Sequence, residues 1–480
     1  MKSEKLQDAI GMVDGDLIER AHKATAKKSK IAHIKWTAPI AAALAIIIGL
    51  GVFFSMRGNN NNPIILNAYA VAEAQYPETV SYPEGEFLPG FEERYEAWRE
   101  YRNKQREYMG AGENLDNFFQ STASQFLKDA ESENLVYSPL NVYMALAMLA
   151  ETTQGNSRQQ ILTLLDAEDI KYLRKQAHAI WNANYNDDGA VTSILASSLW
   201  MNENIGFNQN TVNTLANNYY ASVFQGEMGS SDFNKALQSW LNKQTGGLLS
   251  EYTSDIEMDA QTLMTLATTI YFQAKWDNEF ESKLNTTEVF HSTDKDLSCE
   301  FMNQTDSHGT YYWGDKFGAT RKRLTDSGYM YFILPDEGVT PRDLLADEEA
   351  LAFITEAEDW EQSTNLRVNL SIPKFDVKSN LDLTEGLKNL GVTDCFDFST
   401  ADFSPLLSTE QSAAISGIDH GARVVIDEEG VTATAYTAMK FAGAAMPSEE
   451  EIDFVLDRPF IFVITGCDNL PLFIGVVNKP

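Results

Sequence analysis

The residues of this chain that could carry out chemistry are six histidines and three cysteines. A zinc site needs such residues at short ligand spacing, and hydrolysis needs a nucleophile beside a histidine. The sequence has no Cys-x-x-Cys pair and lacks the GxSxG, HExxH and GxxxxGK[ST] motifs. We predict no metal site, no cofactor and no enzyme, although a Ser-His-Asp site built from distant segments stays open. The residues are His22, His33, His178, His291, His308, His420, Cys299, Cys395 and Cys467.

The charge balance excludes a further class of partner. The 480 residues carry 37 basic and 69 acidic side chains, which gives a formal charge of −32 and a pI near 4.5. The electrostatic field of such a protein repels phosphate backbones. We therefore predict no nucleic-acid partner.

One segment near the C-terminus, residues 422–446, has the pattern of a strand in a place that also looks exposed. It breaks at residues 427–430 and then continues with small or β-branched residues. By alternation, one face would carry Val431, Ala433, Ala435, Thr437 and Met439, and the other Thr432, Thr434, Tyr436 and Lys440. Residues 442–451 have too much glycine, proline and charge to pack, so we expect a tip that proteases reach.

An apolar run precedes the main body. Residues 36–56 contain no charge, and as a helix they would cover about 31 Å, the thickness of the bilayer hydrocarbon. Five lysines between residues 23 and 35 should keep the N-terminal side in the cytoplasm. We predict a single-pass anchor with the body extracellular, on a bacterium with one membrane. A signal peptide cleaved after residues 68–70 is the alternative.

The other predicted segment boundaries follow changes in composition and hydrophobic periodicity along the sequence. Residues 1–35 predict a cytoplasmic segment with one short amphipathic helix. Residues 57–113 predict an extracellular spacer that contains a solvated helix at 91–108, because asparagine, proline and charge outweigh periodic apolar residues. In residues 114–480 long amphipathic helices come early and alternating strands late, which favours an α+β domain.

Seven separated motifs in this last region resemble those of the serpin family of serine protease inhibitors, in the same order. The first, NLVYSPLNVYMALAMLAETTQGNSRQQI, contains the Ser-Pro that opens a helix, and the second, TIYFQAKWDNEF, carries Trp276. The segments are 134–161, 269–280, 329–338, 371–377, 390–404, 419–430 and 457–480.

The resemblance implies a serpin fold with a large mixed β-sheet, further β-sheets, about eight or nine helices and an exposed reactive-centre loop. A serine protease would cleave this loop to an acyl-enzyme, and the loop would then insert into the large sheet and trap the protease. The protein would be a monomeric, irreversible inhibitor. The alternative is a serpin that is cleaved without trapping and serves as a cell-surface binding, scaffold or decoy protein.

Counting from Glu428 as the family does implies that the cleaved bond is Ala444–Ala445. Alanine suits elastase-like proteases, which have a shallow first pocket, whereas cleavage at Phe441 or Met446 would favour chymotrypsin-like ones. The family commonly has Thr where Val431 stands, Glu where Thr432 stands and a small residue where Tyr436 stands. The implied hinge comprises Glu428, Glu429, Gly430, Val431, Thr432, Ala433, Thr434, Ala435 and Tyr436.

The resemblance also implies a polar cluster at which the large sheet opens. The family usually has serine at position 141 and asparagine at 238, so the cluster is altered here, although both amides can donate and accept hydrogen bonds. The implied residues are Ser138, Asn141, Gln238, His420 and Trp276.

Overall fold

The computed structural model describes most of the chain after residue 62. Residues 1–62 lie outside the description, and with them the predicted segment 1–35 and the predicted span 36–56. Among the described residues no helix is both long and apolar enough to cross a bilayer. The described residues are 63–83, 88–112, 114–250, 256–409, 412–431 and 450–480.

Eleven α-helices occur among the described residues. Nine of them follow residue 114, and the two that exceed the expected eight or nine precede it. The last of them ends at Asn389, and Gly391, two residues farther on, has the left-handed φ of 94° that closes a helix. The helices are α1 (Pro63–Tyr69), α2 (Phe91–Arg106), α3 (Asp116–Leu127), α4 (Pro139–Thr152), α5 (Gly155–Leu164), α6 (Ile170–Asn184), α7 (Gln209–Asn218), α8 (Ser231–Gln244), α9 (Pro341–Leu344), α10 (Glu348–Glu356) and α11 (Thr384–Asn389).

The described strands form two large sheets. The first, called the large sheet below, has the order β1-β5-β4-β6-β14-β13-β12 with β3 beside β4, and the second has the order β15-β11-β8-β9-β10-β16-β17-β2 with β7 beside β8. The strands are β1 (Ala70–Ala72), β2 (Leu135–Tyr137), β3 (Asn186–Asp187), β4 (Thr192–Asn202), β5 (Ala221–Gly226), β6 (Met264–Lys275), β7 (Thr286–His291), β8 (Asp296–Trp313), β9 (Phe317–Arg323), β10 (Tyr329–Pro335), β11 (Ser363–Pro373), β12 (Phe375–Asp382), β13 (Ile415–Ile426), β14 (Gly430–Val431), β15 (Glu451–Val455), β16 (Phe460–Thr465) and β17 (Pro471–Val477).

The large sheet is mixed, as expected, and it is buried on both faces. Strands β4 and β5 run parallel, as do β6 and β13, whereas β4 and β6 are antiparallel. Alternate residues of β6 face different cores: Leu266 and Ile270 join the main core, and Ala267 joins a smaller core under α8. We call the main-core side the inner face and the α8 side the outer face.

Helix α4 is the centre of the main core. Pro139 occupies its first turn, and the N-cap Ser138 accepts a hydrogen bond from the Asn141 N–H. Every residue of α4 is buried, as its nearly all-round apolar sequence requires. The helix therefore holds its N-terminal residues firmly against the inner face of the large sheet.

The described residues of the predicted spacer, 63–83 and 88–112, are packed on the folded body. Strand β1 extends the edge of the large sheet by pairing with β5. In α2, Trp98 donates to the Asp188 carboxylate (2.9 Å) and Arg102 donates to the Asp326 carbonyl (2.7 Å), so the helix expected to be solvated is docked on the body. Residues 63–83 and 88–112 thus belong to the folded unit, because side chains distant in sequence provide the partners that the segment itself lacks.

Candidate functional site: the junction of two central strands in the large sheet

The large sheet contains a gap between β6 and β13. These strands pair directly only where residues 264–269 meet residues 415–421. Farther up, the two-residue strand β14 lies between them. Between these two levels, over about 13 Å of strand, the described part of the chain places no further strand between β6 and β13, and we call this stretch the gap.

The hinge residues of the described chain form the upper boundary of the gap. Val431 pairs with Ala274 on one side and Ile426 on the other, and its side chain is 1% exposed in the main core. A side-chain carbon on Gly430 would collide with the Ala274 carbonyl, so this position requires glycine. The hinge residues Thr432, Ala433, Thr434, Ala435 and Tyr436 and the bond Ala444–Ala445 lie outside the described residues.

Trp276 fixes the hinge rather than the lower part of the sheet. Its backbone N–H donates to the Glu429 carbonyl (2.9 Å), and its indole N–H donates to the Asp427 carbonyl (2.8 Å). The chain is thereby held at the point where it turns into β14.

An ion pair holds the next hinge residue. The Glu428 carboxylate lies 2.8 Å from the Lys374 ammonium and accepts a hydrogen bond from the Asn285 amide (2.6 Å). Burial alone would raise the pKa of Glu428, but these donors outweigh it and lower the pKa. The resulting stabilisation is present above the ordinary glutamate pKa and is lost as the pH falls through the lowered one.

Glu428→Gln is expected to lower the free energy of unfolding of the intact protein by about 1–2 kcal/mol, because a neutral amide cannot keep the charge-assisted bond to Lys374. Urea unfolding at neutral pH measures the loss. Glu429→Gln is the matched control, since this neighbour is 52% exposed and 3.8 Å from Lys275. An equal decrease in the free energy of unfolding in both variants would show that the ion pair between Glu428 and Lys374 does not stabilise the protein.

Three of the five residues assigned to the sheet-opening cluster lie together. The Ser138 N–H donates to His420 Nε2 (3.0 Å), and the Asn141 N–H donates to Ser138 Oγ (3.2 Å). Their side chains are fully buried beneath the directly paired part of β6 and β13. We call Ser138, Asn141 and His420 the polar cluster.

The other two assigned residues lie elsewhere. Gln238 is on α8, on the outer face, and donates to the Ile256 carbonyl (3.1 Å). Trp276 directly follows β6. It lies eight residues, or about 26 Å, beyond Thr268, which is the residue of β6 at the level of the cluster. Thr268, which the sequence interpretation missed, is the register partner of His420 and is fully buried. Thr268 precedes Trp276 by eight residues. Because side chains alternate along a strand, this even spacing predicts that both lie on the same face, and it could have indicated Thr268 as a member of the cluster.

The polar cluster has unused hydrogen-bonding capacity. Both polar atoms of the Asn141 side chain and Nδ1 of His420 are buried, and the described residues give them no hydrogen-bond partner. A buried polar atom gains about 1–3 kcal/mol when it finds a hydrogen-bond partner. The polar cluster can therefore accept a further polar group directly below the gap.

Burial lowers the pKa of His420 to about 3, so the folded protein keeps this imidazole neutral. The unfolded chain binds a proton there below pH 6.5, and stability therefore falls as the pH drops from 6.5 towards 3. In His420→Gln, we expect urea midpoints at pH 7 and pH 5 to differ less than in the unmodified protein. Asp419, whose pKa burial raises to about 6, is common to both proteins and cancels in the comparison. An unchanged pH difference would contradict the neutral buried imidazole.

The site has no arrangement for metal or covalent catalysis. Within the described part of the chain, no three histidine, cysteine or acidic residues are grouped so as to hold a metal ion. The polar cluster contains a serine and a histidine, but the serine hydroxyl accepts from backbone and the ring nitrogen accepts from the Ser138 N–H.

Comparison with known proteins agrees with this geometry. The family profile described as Serpin (serine protease inhibitor) matches residues 113–480. Serpin-ZX from Arabidopsis thaliana is 27% identical over 370 residues, covering 73% of this chain and 93% of that protein. Leukocyte elastase inhibitor from Sus scrofa is 28% identical over 358 residues, covering 72% and 93%.

Solved structures share the fold. The crystal structure of the thermophilic serpin tengpin in the native state superposes with a TM-score of 0.68 at 23% identity, covering 85% of this chain and 98% of tengpin. The crystal structure of human thyroxine-binding globulin complexed with thyroxine superposes with a TM-score of 0.66 at 18% identity, covering 76% of this chain and 98% of that protein. With the profile match over more than half its length, the chain belongs to the serpin family, a family of protease inhibitors.

Proposed function

We propose that this protein is an irreversible inhibitor of serine proteases that acts by inserting its cleaved reactive-centre loop into the gap. The observation that carries the proposal is Val431, which is already paired with both β6 and β13 at the point where the described chain reaches the reactive-centre loop. A strand that lies between two strands at its first residues is arranged for further insertion along both of them.

The register of β14 defines what insertion would look like. Val431 faces Ala274 and Ile426, so each further residue would advance one position down both neighbours. Ala433 would then lie between Phe272 and Val424, on the inner face.

The next inward residues would also find suitable surroundings. Ala435 would lie between Ile270 and Ala422, and Thr437 between Thr268 and His420 once the direct pairing of these two residues has opened. The methyl groups suit a packed core, and the Thr437 hydroxyl would arrive beside the polar side-chain atoms of His420 and Asn141. Insertion would thus give these atoms a hydrogen-bonding neighbour.

Inhibition depends on competition between two rates. The protease serine would attack the loop carbonyl, form the acyl-enzyme and release the new amine, and water would later hydrolyse the ester. Insertion has to drag the attached protease away before that hydrolysis occurs. Small inward residues favour fast insertion because they need little rearrangement of Phe272 and Val424.

We assign the target class from Ala444, the residue on the acyl side of the implied bond. Its methyl group fits the shallow pocket of elastase-like proteases, and similarity to leukocyte elastase inhibitors supports this choice. Cleavage at Phe441 or Met446 by a chymotrypsin-like protease would be the second specificity.

Incubation of the protein with pancreatic elastase tests the proposal. We expect an SDS-stable adduct at the summed mass and a C-terminal fragment that begins at Ala445. Clean nicking without an adduct would instead support a non-inhibitory binding, scaffold or decoy protein. A fragment that begins elsewhere would relocate the bond without changing the mechanism.

Ala444→Arg is expected to redirect the inhibitor from elastase-like to trypsin-like proteases, because a long cation fits a deep acidic pocket and not a shallow one. The second-order rate constant for elastase should fall at least about 100-fold while trypsin gains a measurable adduct. Ala445→Arg, on the other side of the bond, is the matched control. If elastase inhibition survives Ala444→Arg, this residue is not the acyl-side residue.

We further propose that residues 36–56 anchor the protein as a single-pass helix, with residues 1–35 cytoplasmic and the serpin domain extracellular as a monomer. The uncharged length of the run and the lysines before it support this orientation. Protease added to intact producing cells should remove residues 114–480 and spare residues 1–35. Release of the protein by salt or carbonate without detergent would contradict an anchor.

A further inference from the structure

The outer face of the gap is crossed by a short piece of chain. Residues 246–250, which follow α8 and which we call the crossing segment, begin against Tyr271 on β6: a side-chain carbon on Gly246 would lie 2.6 Å from the tyrosine ring. They end against β13, where a side-chain carbon on Gly421 would lie 2.8 Å from Leu249 Cδ1. The crossing segment therefore covers the level at which a new strand would enter.

Two features fix the crossing segment in this position. Arg423 donates from Nη1 to the Leu248 carbonyl (2.7 Å), and its other guanidinium nitrogens bind the Asp376 carboxylate at 2.8 and 2.6 Å. Gly246 and Gly247 have φ of 57° and 84°, a left-handed turn that brings Leu249 back over the sheet. Leu249 is consequently 6% exposed.

Gly421 is an unusual residue at its position. It lies within a buried strand, next to the inward-facing His420, and so points to the outer face. Glycine inside a strand weakens it and often marks a close approach of another group. In the intact protein, Leu249 is the group that approaches.

The register of the hinge brings one other large side chain to this place. Five residues beyond Val431, Tyr436 would lie between Thr269 and Gly421 once the direct pairing of these two residues, the uppermost of the joined part, has opened, and by alternation it would face outward. The phenol ring would then need the space over Gly421 that Leu249 occupies. Thr432 and Thr434, the other outward residues, are small.

We propose that Gly421 is the seat for Tyr436: on insertion the tyrosine ring replaces Leu249 over this glycine, and the displacement of Leu249 limits the rate of insertion. The inference rests on the proposed function, because it concerns the same loop entering the same gap. This pairing accounts for two unusual residues together: the bulky Tyr436 in the hinge, and the glycine at position 421 of β13 that would face it.

Synthetic peptides with the sequence of residues 431–444 test the seat without a protease. One peptide keeps Tyr436 and the other has Tyr436→Ala, and each is mixed with the intact protein or its Gly421→Val variant. Gly421→Val should fold, because a side-chain carbon on residue 421 would contact Leu249 Cδ1, the end of a flexible side chain. We expect the unmodified protein to bind the tyrosine peptide at least about tenfold more tightly than the alanine peptide, and Gly421→Val to abolish or reverse this preference, a coupling of about 1.4 kcal/mol.

Val425→Ala is the matched control, because Val425 also faces outward on β13 but lies at the level of Thr432. It should keep the preference for the tyrosine peptide. Equal discrimination by the unmodified protein and Gly421→Val would overturn the seat. If neither peptide enters any of the proteins, insertion itself fails, and the proposed function fails with it.

Leu249→Ala tests the displacement step. Removing the side chain that covers Gly421 should speed uptake of the tyrosine peptide at least about tenfold, with a smaller effect on the alanine peptide. An unchanged rate with both peptides would show that Leu249 does not limit insertion.

Discussion

Val431→Arg is expected to convert the protein from an inhibitor into a substrate of elastase. The Val431 side chain is 1% exposed, lies between Ala274 and Ile426 and faces the main core. An unpaired guanidinium at this place would cost several kcal/mol, so residue 431 would leave its position between the two strands, and the residues that follow it could not continue into the sheet at a useful rate. The acyl-enzyme would then hydrolyse normally. On denaturing gels, the adduct should disappear while the nicked chain remains.

Thr432→Arg is the matched control, because the neighbouring side chain should face the opposite side by alternation. We expect this variant to keep most of the adduct. Melting curves of both intact variants separate a specific effect on insertion from general misfolding. Persistence of the adduct in Val431→Arg, or its equal loss in both variants, would contradict the proposed entry of the hinge.

Cleavage of the loop is expected to raise the melting temperature by more than about 10 °C. Insertion would extend the pairing of the loop with β6 and β13 beyond Val431 and bury Ala433 and Ala435. A gain on the order of 10 kcal/mol, divided by an unfolding entropy of about 0.8 kcal/mol/K for a domain of this size, corresponds to about 13 °C. Differential scanning calorimetry of the intact and the elastase-nicked protein measures the shift.

Nicked Val431→Arg is the informative comparison, since the loop is cut but the hinge is blocked. It should melt close to its own intact form. An unmodified protein that gains no stability when nicked would show that the intact fold is not metastable, and trapping would then lack its source of free energy.

The hinge was readable from the sequence because its signals are local. Alternation of small residues after Val431 predicts a strand, and glycine, proline and glutamate after Ala442 predict an exposed loop. In the structure Val431 is buried and paired with strands on both sides. The faces assigned to the residues beyond it stay predictions.

The polar cluster could be predicted only in part. Ser138 precedes a proline that begins α4, and His420 lies in a strand motif, so each had a local signal. Thr268 is defined only by pairing between strands that lie 152 residues apart. Gln238 was wrongly grouped with them because no local pattern distinguishes the inner from the outer face of a sheet buried on both sides.

The docking of residues 63–112 shows the same limitation. Trp98, Arg102 and Gln105 look like residues of a solvated helix until their partners at Asp188, Asp326 and Tyr185 are known. A segment poor in periodic apolar residues can still fold when an existing surface supplies the contacts.

The sequence by itself determined the α+β class and the family, because these depend on short-range periodicity and on motifs within single elements. Only the tertiary structure decided that β6 and β13 are separated above and joined below, that Leu249 lies over Gly421 and that the N-terminal helices belong to the body. Each of these facts is a contact between residues far apart in the chain, and such contacts are selected by the packing of the whole core and not by any one segment.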